Sequence, residues 1–333
     1  MACRATGILR GSGRERIALA GFARGIWAAS MSHASDAKTL PITVIIPTRN
    51  EAANLGACLR SLKGFAQVVV VDSQSTDDTV AVAHAAGAEV HQFHYSGGWP
   101  KKRQWALENL EIRSPWTLLL DADERMTAAL RRELHRIVTG RGSADGYWIS
   151  LRLVFLGSVL RHGASNLKKL SLFRTGKGRF ECLVREQTKQ MSDVEIHEHV
   201  IVDGVEGECS AWLLHENVNS LFRYIEKHNE YSTWSAAVAT RRVRGDERRG
   251  DLRGNQAEQR RWIMNRLWGI PAGGLLLPLL RFVWFYFVKL GFLDGAAGFY
   301  YCGFKAVQSF HIMAKVRESS IASLRARREK GGP

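Results

Sequence analysis

The sequence predicts an α/β fold built on a parallel sheet, and three observations carry that expectation. Apolar runs rich in β-branched residues alternate with stretches of helical spacing between residues 42 and 120. That β-α-β-α-β-α-β order goes with parallel strands joined by right-handed crossovers. The runs are continuous rather than alternating, as in Val68-Val69-Val70-Val71 and Leu118-Leu119-Leu120, which marks strands covered on both faces. Two of the runs end directly in an acid, Asp72 and Asp121, and open α/β sheets bind ligands at the carboxyl ends of their strands.

Each element can be justified in turn. Ile42-Thr43-Val44-Ile45-Ile46-Pro47 is a β-branched strand closed by proline. Ala52 to Leu62 has helical spacing at Leu55, Leu59 and Leu62. Gln67 to Asp72 is a second buried strand, and the polar turn Ser73 to Asp78 supplies N-cap residues for a helix from Thr79 to Ala86. Gly87 to Phe93 reads as a third strand and Lys101 to Leu110 as a helix with a basic start. Thr117 to Leu120 is the fourth strand, and it runs into Asp121-Ala122-Asp123-Glu124. On an extended backbone Asp121 and Asp123 point the same way. Two carboxylates on one side suit Mg²⁺ or Mn²⁺, hard cations that complete their shell with substrate phosphates. A solvated acidic turn is the alternative reading of the same residues.

The 333 residues suffice for one large α/β domain with an appendage, or for two domains. A formal net charge of +15 favours an anionic partner: nucleic acid, a phosphorylated substrate or an acidic membrane surface. The five cysteines contain no C-x-x-C pair, which argues against a zinc site or disulfide framework and fits a reducing compartment.

Three motifs stand in order: Pro47-Thr48-Arg49-Asn50-Glu51 after the first strand, Asp72-Ser73-x-Ser75-x-Asp77-x-Thr79 after the second, and Leu120-Asp121-Ala122-Asp123-Glu124 after the fourth. Together they resemble family 2 glycosyltransferases, inverting enzymes with a GT-A fold, over residues 41 to about 215. The resemblance implies a nucleotide-sugar donor, with Asp72 contacting the base and Pro47 and Glu51 lining its pocket. It places Asp121 near the ribose and Asp123 on the metal at the diphosphate. Lys102, in the Lys101–Arg103 cluster, either neutralises that diphosphate or belongs to a solvated helix face. Inversion requires a single in-line displacement, hence one carboxylate base and no covalent nucleophile. The chain has no G-x-S-x-G motif.

Further along, Arg161-His162-Gly163, the strand Lys169 to Arg174 and Val194-Glu195-Ile196-His197-Glu198-His199 are similar to the branch containing lipopolysaccharide-core β-glucosyltransferases. That likeness implies Glu198 as general base, with Glu186 and Glu195 as competitors. His197 and His199 are either a metal pair or a satisfied polar pair, and His215 has the same two readings. The stretch from Thr175 to Glu195 is longer than the branch pattern, and Gln259-Arg260-Arg261-Trp262 falls one residue short of the Gln-x-x-Arg-Trp motif of processive members.

The expected organisation is an extension over 1–38, disordered or preceding a true start at Met31, a catalytic domain over 39–216, a helical basic linker over 217–262, apolar helices over 263–316 and a basic tail over 317–333. Lys227 and Tyr231 resemble a Lys-x-x-x-Tyr stretch of the same branch. Eight arginines against four acids between Arg241 and Arg261 fit anionic lipid, and no nucleic-acid-binding module is evident. Arg281 and Lys289 interrupt the apolar segment and Pro271 and Pro278 break it, so it is expected to lie in the membrane interface rather than span it. Trp268, Trp284, Tyr286, Tyr300 and Tyr301 would anchor it; a re-entrant hairpin or a core helix pair are the alternatives. Gly291-Phe292-Leu293-Asp294-Gly295 matches a branch signature and predicts a tight turn between two helices.

The sequence thus reads as a peripheral, metal-dependent enzyme at the cytoplasmic face of the inner membrane. It would move one hexose from a UDP-sugar to a hydroxyl of a lipid- or saccharide-linked envelope acceptor. A polyprenyl-phosphate glycosyltransferase and a non-catalytic nucleotide-sugar- or membrane-binding protein are the rival readings.

Overall fold

A computed structural model describes residues 39–164, 167–182, 199–217, 220–243 and 273–329. The extension over 1–38, Glu186, Glu195, His197, Glu198, Trp268 and the arginine-rich stretch after Val243 lie outside the described residues.

The first half alternates as the sequence predicts: β1 (Leu40–Thr48), α1 (Ala52–Ser61), β2 (Phe65–Asp72), α2 (Thr79–Ala85), β3 (Glu89–Gln92), α3 (Lys102–Asn109) and β4 (Trp116–Leu119). β5 (Glu124–Arg125), α4 (Ala128–Arg136), β6 (Gly146–Phe155), β7 (Ser158–Val159), β8 (Lys168–Arg174), β9 (Gly178–Phe180), β10 (Val200–Val202) and β11 (Glu206–Glu216) follow. The main sheet runs β3-β2-β1-β4-β8-β6-β11-β5, with β7 paired to β6, and β9 and β10 form a separate ribbon. Strands β1 to β4 are mutually parallel. The parallel arrangement expected of these four strands is present, and the sheet is mixed beyond them: β8 is antiparallel to both β4 and β6, β11 is parallel to β6, and β5 is antiparallel to β11.

Strand periodicity builds the layers. On β1, Ile42, Val44 and Ile46 face one core with Leu55, Leu59, Leu118 and Leu130, while Ile45 faces the other with Val69, Val71, Ala106 and Phe173. Burial on both faces explains the unbroken apolar runs. The order reverses at β1, with β2 on one side and β4 on the other. That switch opens a crevice at the carboxyl ends of β1, β2 and β4.

Beyond the sheet lie α5 (Leu221–Val243), α6 (Gly273–Val283, extended by a π-helical turn to Val288) and α7 (Gly295–Glu329). A 3₁₀ turn, Gly291–Asp294, joins α6 to α7, the tight turn expected there. The Asp294 carboxylate accepts hydrogen bonds from the backbone N–H groups of Arg161 (2.8 Å), His162 (3.1 Å) and Gly163 (2.8 Å). Two motifs 130 residues apart in the chain therefore form one joint. A Cβ on Gly298 would sit 2.1 Å from the Gly291 carbonyl oxygen, so the close crossing at this turn requires glycine. Beside it Phe155, Leu160, Ala164, Ala297, Tyr301 and Cys302 form a buried cluster that joins helices to sheet. Tyr301 is 3% exposed and belongs to this cluster, which corrects its expected place as an interfacial anchor. Trp284 and Tyr300 are half exposed. Among the described residues no single helix is long and apolar enough to cross a membrane; the α6–α7 pair, bent by 72°, satisfies length and composition only together.

Candidate active site

The loops after β1 and β2 interlock. Asn50 takes a left-handed backbone (φ 55°), and its side-chain oxygen accepts from the Thr76 N–H at 2.8 Å. The Asn50 N–H donates to Ser75 Oγ, Glu51 N–H to Thr79 Oγ1 and Ala52 N–H to Asp77 Oδ2. The first two motifs are one hydrogen-bonded structure. At its base Asp72 is fully buried, and its carboxylate accepts from Thr48 Oγ1 (3.0 Å), Ser75 N (2.8 Å), Ser75 Oγ (2.5 Å) and Gln92 Nε2 (3.2 Å). With its lone pairs so engaged, Asp72 shapes the crevice floor. Pro47 is buried beside it on β1, paired with Val71.

The third motif differs from expectation. β4 ends at Leu119, and Asp121 to Asp123 form a turn closed by Glu124 N–H to the Asp121 carbonyl at 2.9 Å. The two aspartates are not on extended backbone, and each has its own partners. Asp121 is gripped by Arg103 and by Lys169 at 3.0 Å. Burial pushes its carboxyl up, but those two cations outweigh it and hold it far below the usual carboxylate range. Asp123 is 8% exposed, and its Oδ2 lies 3.2 Å from Asn217 Nδ2 and 3.6 Å from His215 Nε2. Glu124 is buried and meets Lys169 at 2.6 Å. Its backbone pairs with His215 where β5 runs antiparallel to β11, and Glu216 N–H donates to the Asp123 carbonyl at 2.8 Å. That pairing carries His215 and Asn217 to the acids. Burial pulls the His215 pKa down, yet Asp123 and Glu124 raise it to about 9.

Helix α5 supplies the remaining wall. Lys227 Nζ stands 3.5 Å from Glu51 Oε1, whose other oxygen accepts from Asn54 Nδ2 at 2.7 Å. Burial pushes the Glu51 carboxyl up, Lys227 opposes it, and nearby Asp123 adds to the rise. For Lys227 burial works downward and is outweighed by Tyr231, Asp123 and Glu51, which raise its pKa.

The structure thus brings Glu51, Asp72, Asp121 and Asp123 to one crevice. The solvated-face reading of Lys101–Arg103 is corrected: Lys101 and Lys102 are fully buried. Lys102 Nζ donates to the Thr48 carbonyl at 2.7 Å, and Lys101 lies 4.3 Å from the centroid of the Trp234 ring. Arg103 faces Asp121. Glu198 lies outside the described residues, and His199 donates its N–H to Glu181 Oε1 at 3.0 Å. Sequence reasoning placed Lys169 only on a strand and Asn217 nowhere. Lys227 was visible as the Lys-x-x-x-Tyr spacing, one helical turn that puts both side chains on one face.

Among the described residues no group of three or more His, Cys, Asp or Glu side chains is poised for a metal. The donor set nonetheless fits a hard divalent cation, which takes one or two protein carboxylates and draws its other oxygens from phosphate and water. Asp123 is the carboxylate suited to that task, because Asp121 is held between two cations.

The sequence model of the family described as Glycosyl transferase family 2 matches residues 43–186. A lipopolysaccharide core biosynthesis glycosyltransferase, LpsC, of Rhizobium meliloti is 32% identical over 204 residues, 59% of this chain and 71% of that protein. An uncharacterized glycosyltransferase of Rickettsia typhi is 25% identical over 85% of this chain and 88% of its own. Among solved structures, glucosyl-3-phosphoglycerate synthase from Mycobacterium tuberculosis, in complex with Mn²⁺, UDP and glucosyl-3-phosphoglycerate, is similar at 22% identity and a TM-score of 0.27, over 34% of this chain and 44% of that one. On its motifs, its sheet, the family model and the 32%-identical relative, the chain is a glycosyltransferase of the GT-A fold and belongs to glycosyl transferase family 2.

Proposed function

We propose that the protein is an inverting transferase that moves one hexose from a UDP-sugar to a hydroxyl of a lipid- or saccharide-linked envelope acceptor, as in lipopolysaccharide core. The observation that carries this reading is the position of Asp123, nearly buried at the carboxyl end of β4 between His215 and Asn217 and beside an aspartate already neutralised by Arg103 and Lys169. A Mg²⁺ or Mn²⁺ ion held there by Asp123 would supply charge stabilisation to the diphosphate leaving group.

The chain's own residues account for the rest. The interlocked loops around Asp72 form a rigid floor for the nucleoside. Lys227 is 41% exposed at its side chain and faces the crevice, where it would meet the charge that develops on the diphosphate. As the acceptor oxygen bonds to the anomeric carbon, the bond from that carbon to the phosphate oxygen breaks and UDP departs with its electron pair. The hydroxyl proton passes to a carboxylate on the opposite side of the sugar, and Glu198 is our assignment for it.

The exposed apolar residues of α6 and α7, Leu276, Leu279, Leu280, Trp284, Phe287 and Phe310 among them, support placing the enzyme on the cytoplasmic face of the inner membrane. The test is UDP release from a panel of UDP- and GDP-sugars with Mg²⁺ or Mn²⁺. Metal-dependent UDP release from one UDP-sugar, abolished by Asp123→Ala, is the expected result. UDP binding without turnover on any donor and acceptor would instead favour a non-catalytic protein.

A further inference from the structure

We propose that Arg281 of α6 and Lys305 of α7, joined through Ser309, form a binding site for the phosphate of a membrane-lipid headgroup. The inference rests on the reading that the enzyme works at a lipid surface, and it adds a specific site to that reading.

Arg281 of α6 reaches across to Ser309, one helical turn beyond Lys305 on α7. Arg281 Nη1 donates to Ser309 Oγ at 3.0 Å, and the same hydroxyl donates to the Lys305 carbonyl at 3.0 Å. Ser309 is 2% exposed, so the link is internal. Among the described residues neither cation forms an ion pair with a carboxylate. Their charged groups face rings instead: Arg281 lies 5.8 Å from the centroid of Phe285, and Lys305 lies 5.4 Å from that of Tyr301. Burial, with Arg281 adding to it, brings the Lys305 pKa down to about 8. Two half-buried cations held together without a counter-ion destabilise a helix pair. On a protein of net charge +15 such cations could stand in water, and their placement at neighbouring turns of two packed helices without a carboxylate is what an anion would repay.

The surroundings specify the kind of anion. Leu280, Val283 and Trp284 are exposed on the same stretch of α6, and Val307 and Phe310 on the same stretch of α7. An apolar rim around two cations suits an amphiphile whose phosphate meets the cations while its chains remain with the rim. Helix α7, which carries Lys305, also packs against α5, the active-site wall. His228 stacks on Tyr224 at 3.9 Å between centroids; burial lowers its pKa to about 4, with Lys305 and Lys227 adding to the effect. The same helix, α5, carries Lys227, which contacts Glu51. A lipid phosphate at Arg281 and Lys305 would hold the membrane surface at a fixed offset from the donor crevice.

The test is flotation of the full chain with vesicles of phosphatidylcholine, with and without phosphatidic acid. Arg281→Gln together with Lys305→Gln should lower partitioning onto the phosphatidic acid vesicles by about thirtyfold or more. Arg317→Gln with Lys289→Gln, the same charge change on α7 and at the end of α6, should leave partitioning much closer to that of the wild type. Equal losses in the two pairs would mean diffuse attraction and overturn the site. A second arm adds inorganic phosphate: displacement from vesicles at millimolar phosphate would show that the free ion suffices and overturn the lipid assignment. Because Arg281→Gln removes the Ser309 contact, Lys305→Gln is also measured alone. It should raise the thermal midpoint in the absence of lipid, whereas a merely structural lysine would lower it, and Lys305→Arg should retain vesicle binding. Wild-type UDP release is read separately in solution, so a failed transferase reading and a failed lipid site give different results.

Discussion

Asp121 and Asp123 are two residues apart, yet they have different partners. Asp121 faces Arg103 and Lys169, while Asp123 faces His215 and Asn217. A D-x-D motif shows which residue types are present; it does not show which carboxylate retains capacity for a cation. That depends on Lys169, 48 residues from its partner Asp121, and on His215, 92 residues from its partner Asp123, and the local pattern is silent about such long-range pairing. The motif residues of the donor crevice were therefore legible, and their electrostatic partners were not. Lys227 carries the first prediction at this scale. Lys227→Gln should lower kcat about tenfold to a hundredfold with little change in thermal midpoint, as expected for loss of one charge-stabilising contact, and steady-state kinetics with a melting curve checks both. Lys305 carries the second. Its folded pKa of about 8 lies below the unfolded value near 10.4, so between those values the unfolded state binds the proton that the native state has lost. Stability then rises with pH across that window. The groups around it are Arg281, Tyr301 and His228. Wild-type melting temperatures should gain more between pH 8 and about 10 than those of Lys305→Gln, and equal slopes would refute the assignment.

Elements were read well where their periodicity is local. β1, β2, β4, α1 and α2 lie within two residues of their expected bounds, because buried parallel strands and capped amphipathic helices announce themselves in sequence. Neighbour choice does not. Nothing in Lys168–Arg174 states that it inserts beside β4 antiparallel, or that β11 folds back on the acidic turn. The basic start of α3 misled for a related reason: its lysine stems run inward, where Lys102 finds the Thr48 carbonyl. The Arg161-His162-Gly163 and Gly291–Gly295 motifs were both visible, but their union through Asp294 was not. Asp294→Ala removes the acceptor of three backbone N–H groups and should cost about 3 kcal/mol, read from denaturant unfolding. A loss below about 0.5 kcal/mol would show that the joint is not needed.

At the scale of the whole molecule the sheet, the crevice and the three helices form one arrangement. α5 contributes Lys227 to the donor side and is held to α7 by Lys315, whose ammonium lies 2.7–2.8 Å from four acceptors that share its three N–H groups: the Asn229 carbonyl, Asn229 Oδ1, Ser232 Oγ and Thr233 Oγ1. The helices following the sheet are therefore part of the active site's frame rather than a detachable anchor. Their outer face remains apolar, with Trp284 and Phe287 more than half exposed. Replacing both by serine should weaken vesicle binding by at least about a hundredfold, since each buried aromatic contributes roughly 1.5–3 kcal/mol, while leaving UDP affinity unchanged. The most direct measurement of the central claim is the affinity for UDP with and without Mn²⁺, by titration calorimetry, in wild type and Asp123→Asn. We predict that Mn²⁺ strengthens UDP binding to the wild type by about a hundredfold and has no effect in the variant. The same Mn²⁺ enhancement in Asp123→Asn would contradict the account.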